Sequence, residues 1–240
     1  MLREHEFNTK WWGSPVGILD NPAFLDLESS LQRQACAPYE WVEYSTQLDN
    51  APAPEKLGRA GFFSVDSHIN FRINLSRVGS TQSTDQLMAV DAEEAKFEVS
   101  SGEIRTFAHE RFRFLPGVTM DRLDARYALW SNQLIAQNPA WCLQISDRTG
   151  IQGWFLARVD EDKPLNLTLA MLKSDAQISG HLLFQKAMSE FARRGARIGE
   201  ASFSVTNTPV MNIYASLGAR FLSVRGYWHR LSGHRRGDVG

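Results

Sequence analysis

Residues 180–194 carry the strongest periodicity in the chain, and that stretch narrows the folds open to it. Gly180, Leu183, Phe184, Ala187, Met188, Phe191 and Ala192 recur at i, i+3, i+4, i+7 and i+8, the spacing of a helix with one apolar stripe. Lys186, Glu190, Arg193 and Arg194 take the other face, and Gly195 stops the helix after a basic last turn. Before it stand an apolar strand, Leu165 to Leu172, and a polar loop from Lys173 to Ser179; after it comes a strand from Ala201 to Val205. Such a stripe must be buried against another layer, here a sheet.

The neighbouring segments extend that order. Leu123, Tyr127, Trp130 and Leu134 predict an amphipathic helix over Met120 to Gln137. Trp141 to Ile145 and Gln152 to Val159 read as two strands joined across a turn at 146–150, and the second half opens with Leu87-Met88-Ala89-Val90 ahead of a mixed region to Phe114. Thr208 is expected to cap a helix with Pro209 at its first position, ending at Gly218. Phe221 to Val224 and Tyr227 to Arg230 close the chain as two short strands. The first half reads as strands at Val16 to Leu19 and Trp41 to Tyr44, with a helix from Phe24 to Ala35 between them. A short helix at Leu57 to Ala60 follows, stopped by Gly61, and then an alternating strand from His68 to Leu75.

Gly79 to Gln86 is polar and has no period. The division expected is a first half at 1–78, a linker at 79–87, a second domain at 88–232 and a frayed tail at 233–240. Leu57 to Val65 also echoes Tyr214 to Val224: each is a short helix after a proline turn, a glycine stop, then a strand. The echo points to duplication of one fold with the first copy worn down.

Composition removes several classes of function. The net charge of −1 comes without a long block of one sign, so no nucleic-acid partner is expected. No run approaches the roughly 20 apolar residues that cross a bilayer, and the polar start carries no secretory signal. Cys36 and Cys142, each in an apolar neighbourhood, read as buried free thiols of a cytoplasmic protein. The histidines show no metal-ligand spacing, so no metal is expected, and glycine-rich nucleotide fingerprints and Gly-x-Ser-x-Gly are missing.

The succession of strand, polar loop, amphipathic helix, strand, Asn207-Thr208-Pro209, short helix with Tyr214, Gly218 and strand resembles the GNAT acetyltransferase superfamily over roughly residues 88–232. Trp11-Trp12-Gly13, Leu57 to Phe62 and Phe107 to Arg113 look like the TDP-fucosamine acetyltransferase branch, whose members acetylate nucleotide-linked amino-dideoxysugars. The resemblance implies an α+β fold, a mixed and mostly antiparallel sheet flanked by helices, preceded by a degenerate partial copy. It implies acetyl-coenzyme A as co-substrate, transferring acetyl directly to a small-molecule amine, with a homodimer left open. A different amine, a different acyl-coenzyme A, or a catalytically silent acyl-coenzyme A-binding module are the alternatives.

The chemistry assigns parts to these residues. A helix amino terminus offers free N–H groups and the positive end of its dipole to a pyrophosphate. Leu172, Lys173, Gln177, Ile178, Ser179, Gly180 and His181 lie at that junction, although Leu182 stands where the family has Gly or Ala, and Asp175 adds an unfavourable charge. The resemblance gives Asn207 to the pantetheine arm; by itself it reads equally as a turn residue. It gives Tyr214 the role of the acid that protonates the departing thiolate, for which a phenol of pKa about 10 is suited. A backbone N–H between Leu169 and Leu172 is the expected oxyanion donor. Glu110, His109 and Asp121 are the candidate bases. Arg111, Phe112 and Arg113 mix ring and cation in a way that suits a nucleotide diphosphate, or equally a half-buried helix end.

Overall fold

The computed structural model describes residues 1–161 and 163–232. The expected tail at 233–240 lies outside the described residues. In chain order the first elements are β1 (Leu2–Glu4), α1 (Glu6–Trp12), β2 (Val16–Leu19), α2 (Ser29–Cys36), β3 (Trp41–Gln47), α3 (Pro54–Arg59) and β4 (Phe63–Asn74). Next come α4 (Gln82–Asp85), β5 (Met88–Asp91), α5 (Ala92–Ala95), α6 (Met120–Gln137), β6 (Cys142–Asp147) and β7 (Gly150–Arg158). The last are β8 (Leu165–Leu172), α7 (Gly180–Arg193), β9 (Ile198–Ser204), α8 (Thr208–Ser216) and β10 (Arg220–Leu231). This is the mixed, helix-flanked α+β architecture. No helix among the described residues is long and apolar enough to cross a membrane.

The chain forms two compact units, Met1–His68 with Ser223 onward, and Ile69–Leu222. The division therefore falls within β4, and the final strand returns to the first unit. Residues 79–87, expected to be a linker, are instead a packed part of the second unit. Thr81 caps α4 in a reciprocal box with Thr84, Val78 and Leu87 are buried in the core, and the Gln185 side chain donates to the Gly79 carbonyl.

In the first unit the sheet order is β1-β2-β3-β10-β4. β10 pairs antiparallel with β3 from Arg225↔Gln47 to Leu231↔Trp41. Val42, Tyr44 and Trp228 share one face with Leu57, Phe62, Phe24 and Cys36, which form the core there. β10 is a single strand where two were expected. Gly226 lies between the two expected strands, and a Cβ there would meet the Trp228 ring at 2.3 Å, so the indole fills the space and the ladder continues. The helix expected from Phe24 to Ala35 is interrupted. The Phe24 carbonyl accepts from the Leu27 amide in a 3-10 turn and from the Gln32 side chain, and Leu27 is extended.

In the second unit the order is β4-β9-β8-β7-β6-β5. α7 buries Leu183, Phe184, Ala187, Met188 and Phe191 against Leu143, Ile145, Phe155 and Leu167, as its stripe predicts. On the opposite side α6 sets Tyr127 and Leu134 against Trp154, Leu156, Leu169 and Met171. Gly195 ends α7 in the left-handed region at φ 97°, and the amide of Ala196 reaches back to the Phe191 carbonyl.

Candidate active site

β8 and β9 run parallel but pair only at Leu165↔Gly199 and Asn166↔Glu200. Beyond those two positions β8 stays on β7 as far as Leu172↔Gly153, while β9 has no further register with it. A slot opens between the parted strands. Its donors follow from strand alternation. The Lys173 amide donates to the Gln152 carbonyl toward β7, whereas the Leu172 carbonyl accepts from the Arg105 amide on the other edge. The amides of Leu172 and Ala170 therefore face the slot, and those of Leu169 and Met171 face β7.

At the end of β8 the loop turns into α7. Ser179 caps the helix by accepting from the Leu182 amide, and the amides of Gly180 and His181 have no acceptor among the described residues. The first turn of α7 contains no acidic residue. Lys173 holds Asp175 with Nζ 2.8 and 2.9 Å from its two oxygens, and this pairing lowers the pKa of the Asp175 carboxyl. The charge that should oppose a phosphate is thus paired within the loop. A Cβ on Gly180 would meet Ile213 at 3.3 Å, so α7 and α8 approach closely there.

Tyr214 is 4% exposed and lies among Phe71, Phe184 and Phe203, with ring centroids 3.9, 5.2 and 5.6 Å away. Burial pushes its phenol far above the ordinary tyrosine range, so it holds its proton at every working pH. Its hydroxyl has no hydrogen-bond partner among the described residues. Asn207, rather than Thr208, caps α8: its side-chain oxygen accepts from the Val210 amide at 3.3 Å, and Thr208 is the first helical residue. Asn207 lies outside the helical region at φ −83°, ψ 67°, as an N-cap residue does, which moves the cap one position ahead of Thr208.

Of the acceptor-side residues, Phe112 is fully buried, so its ring has no free face for a ligand's base. It lies under the Arg126 and Arg111 guanidiniums, 4.2 and 4.4 Å from its centroid. Arg113 donates to the Ala108 carbonyl at 2.9 Å and stacks on Phe114. Glu110, also buried, accepts from the Tyr127 hydroxyl and from the Phe112 amide. Asp121 is exposed in the first turn of α6.

The first unit repeats the same order, β2-α2-β3-α3-β4, without the slot. β2 and β3 are parallel and paired along all of β2, from Val16↔Trp41 to Leu19↔Tyr44. Gly17 permits this: a Cβ there would meet Val42 and the Tyr39 ring at 3.0–3.1 Å. α2 is preceded by Asp20, Asp26 and Glu28, and Glu28 at its cap makes no side-chain capping bond. Asp20 pairs with Arg3 and Asp26 with Lys56. α3 and α8 end alike, with Phe62 donating to the Leu57 carbonyl and Ala219 to the Tyr214 carbonyl, both at 2.9 Å. Leu57 therefore stands where Tyr214 stands, and the hydroxyl is missing.

Solved structures share the fold. A GCN5-related N-acetyltransferase from Kribbella flavida superposes at a TM-score of 0.54 over 92% of this chain and 83% of its own, with 13% identity. A tandem GNAT protein from the clavulanic acid biosynthesis pathway gives 0.54 over 94% and 77%, with 11% identity. A GCN5-related N-acetyltransferase from Sphaerobacter thermophilus gives 0.52 with 16% identity over 84% of this chain, which spans 64% of that protein. The chain has the GNAT fold. No protein-family profile matches the sequence, and no curated protein does. At these identities the likeness is one of fold.

Two residues beside the slot gave no signal in the sequence. Gln152 on β7 is 3% exposed and reaches three parts of the site's floor. Its Oε1 accepts from the Gln177 amide at 2.7 Å, while its Nε2 donates to Asp147 and Thr149 in the β6–β7 turn. It pins the loop that leads into α7. Gly153 faces the Met171 carbonyl, where a Cβ would sit 2.2 Å away, and Leu183 of α7 at 2.7 Å. Glycine alone lets α7 close on β8 at that level.

Proposed function

We propose that the protein is an acetyl-coenzyme A-dependent N-acetyltransferase and that the slot between β8 and β9 takes the coenzyme's pantetheine arm. The observation that carries this is the loss of pairing after Asn166↔Glu200, set against the fully paired β2 and β3 of the same chain. In this reading the amides of Ile178, Ser179, Gly180 and His181 hold the pyrophosphate at the amino end of α7. Gln177, fixed by Gln152, shapes the approach, and the uncommitted amide nitrogen of Asn207 faces the arm.

The residues divide the chemistry as follows. The amide of Ala170 or Leu172 donates to the thioester oxygen and stabilises the charge that develops there. Tyr214, protonated throughout, donates to the sulfur as the C–S bond breaks. Alignment of the two substrates supplies much of the remaining rate.

The acceptor proposed first is the amine of a nucleotide-linked amino-deoxysugar, on the resemblance at Trp11-Trp12-Gly13, Leu57 to Phe62 and Phe107 to Arg113, with Arg111 and Arg113 as diphosphate partners. A second acceptor class, a smaller primary amine, is favoured by the burial of Phe112, which removes the ring expected to stack on a base.

Calorimetric titration with acetyl-coenzyme A tests the donor site, and thiol release with TDP- and UDP-amino sugars against simple alkylamines separates the acceptors. Failure to bind the coenzyme at millimolar concentration overturns the reading. Binding without turnover of any amine leaves a silent acyl-coenzyme A-binding module.

A further inference from the structure

One segment touches both of the strands that have parted. Around Ile104, which bridges to Lys173, the Arg105 amide donates to the Leu172 carbonyl at 3.0 Å and the Ser174 amide to the Glu103 carbonyl at 2.8 Å. The segment thus begins on the edge of β8 that β9 has left. Its middle is tied to α6: the Thr106 hydroxyl donates to Asp124 at 2.9 Å, and the Phe107 ring stacks on Tyr127 at 3.8 Å. At its far end His109 Nδ1 lies 3.1 Å from the Thr206 hydroxyl, just past the end of β9. That hydroxyl is in turn 2.8 Å from Ser204 Oγ. Residues 103–109 therefore form a strap across the mouth of the slot.

The strap separates the three acid–base candidates on this side. Glu110 has both oxygens engaged, by Tyr127 and by the Phe112 amide, and is buried. Asp121 is exposed and bonds to neither β8 nor β9 among the described residues. His109 alone reaches the end of a parted strand.

We propose that His109 is the general base of the acetyl transfer and that Thr206 is its positioning residue; this rests on the slot being the coenzyme site. The tautomer is assigned from the bonding pattern: Nδ1–H donates to Thr206 Oγ1, whose own hydrogen goes to Ser204 Oγ, so Nε2 keeps its lone pair. Nε2 takes one proton from the ammonium form of the acceptor. The freed nitrogen lone pair forms the N–C bond to the thioester carbonyl, and the carbonyl π pair moves to oxygen. Collapse breaks the C–S bond, the sulfur takes the Tyr214 proton, and the phenolate recovers the remaining surplus proton from nitrogen. The proton on His109 leaves to solvent. The charged groups on the neighbouring elements are Glu110, Arg111 and Arg113 on its own segment and Asp124 and Arg126 on α6, of which Asp124 is held by Thr106 and Arg126 lies over Phe112; Ser204 at the end of β9 and Thr206 and Asn207 beyond it are uncharged.

Two measurements test this. Diethyl pyrocarbonate labelling, read peptide by peptide by mass spectrometry, should modify His109 in the free protein and be suppressed at least about tenfold by saturating acetyl-coenzyme A. With the amine that the wild type turns over fastest, His109→Gln should lower kcat about 100-fold and erase the low-pH limb of the kcat profile. Coenzyme affinity should stay within twofold and the circular dichroism spectrum should not change. Thr206→Val should cost about tenfold in kcat, and Thr206→Ser should restore it. Equal labelling of His109 with coenzyme bound, or a retained limb and rate in His109→Gln, overturns the proposal and leaves the coenzyme site standing. Absence of acetyl-coenzyme A binding, or of turnover with every amine, removes the underlying reading and this proposal with it.

Discussion

The rings of Tyr214 and Phe203 lie nearly parallel, 11° apart in plane and 5.6 Å between centroids. That contact keys α8 to the part of β9 that has left β8. The ring holds its place by packing against Phe71, Phe184 and Phe203, and the hydroxyl adds no bond among the described residues. Tyr214→Phe is therefore expected to lower kcat about 100-fold with acetyl-coenzyme A affinity within twofold. Its melting temperature should stay within about 2 °C of wild type, since the change is within the range of neutral substitutions. Steady-state kinetics and calorimetry check it, and unchanged turnover would remove the acid role.

Gln152→Leu should act on the coenzyme without touching it. Losing Oε1 removes the acceptor of the exposed Gln177 amide, a net loss of about 0.5–1.5 kcal/mol, and frees the loop that leads into α7. The expected outcome is about tenfold weaker acetyl-coenzyme A binding, with kcat at saturation nearly unchanged. A loss in kcat with binding intact would contradict the loop-pinning role.

Coenzyme stoichiometry should be one per chain. The first unit presents zipped strands, a helix whose cap residue Glu28 makes no capping bond, and Leu57 where the second presents parted strands, a Ser179-capped helix and Tyr214. A calorimetric ratio of two would show that β2 and β3 open in solution.

Alkaline pH should destabilise the fold before the tyrosines of an unfolded chain ionise. Burial pushes the Cys142 thiol up to about 12, offset in part by its contact with the Ala157 carbonyl. In the unfolded chain the thiol ionises near 8.5. Both forms are protonated below about pH 8.5, where the contribution is fully present. Above it the unfolded chain loses a proton that the native state keeps, so stability falls between about pH 8.5 and 12. Urea midpoints at pH 7.5, 9 and 10.5 should decrease in that order, and Cys142→Ala should flatten the decline.

The second half of the fold was largely legible because its signals are local. α6 runs over the predicted Met120–Gln137, β8 over Leu165–Leu172, and α7 buries the predicted stripe. What escaped depends on partners distant in the chain. Gly226 separates two expected strands until Trp228 and Leu48 are seen to fill its side-chain space. Gln152 looks like an ordinary polar residue in a strand until the Gln177 amide reaches it across 25 residues. Phe112 resembles a ligand-stacking ring in sequence, and burial beneath Arg126 gives it a core role. The loop, glycine and tyrosine of the candidate site were named from their order in the chain and from the family resemblance, which also implied that the strand before Asn207 parts from its neighbour; the residue at which pairing stops, Asn166↔Glu200, carries no local signal.

The seven-residue pairing of β3 with β10 has a consequence for how the protein is made. Ser45 and Arg225, whose side chains share a hydrogen bond beside that ladder, are 180 residues apart. At roughly 5–20 residues per second, a ribosome leaves the edge of β3 uncovered for on the order of 10–40 seconds before its partner is synthesised. During that interval the nascent first half offers an open ladder to any strand nearby. Synthesis of this chain should therefore respond to chaperone supply, and a stop codon placed just before β10 should yield aggregate rather than a shortened protein.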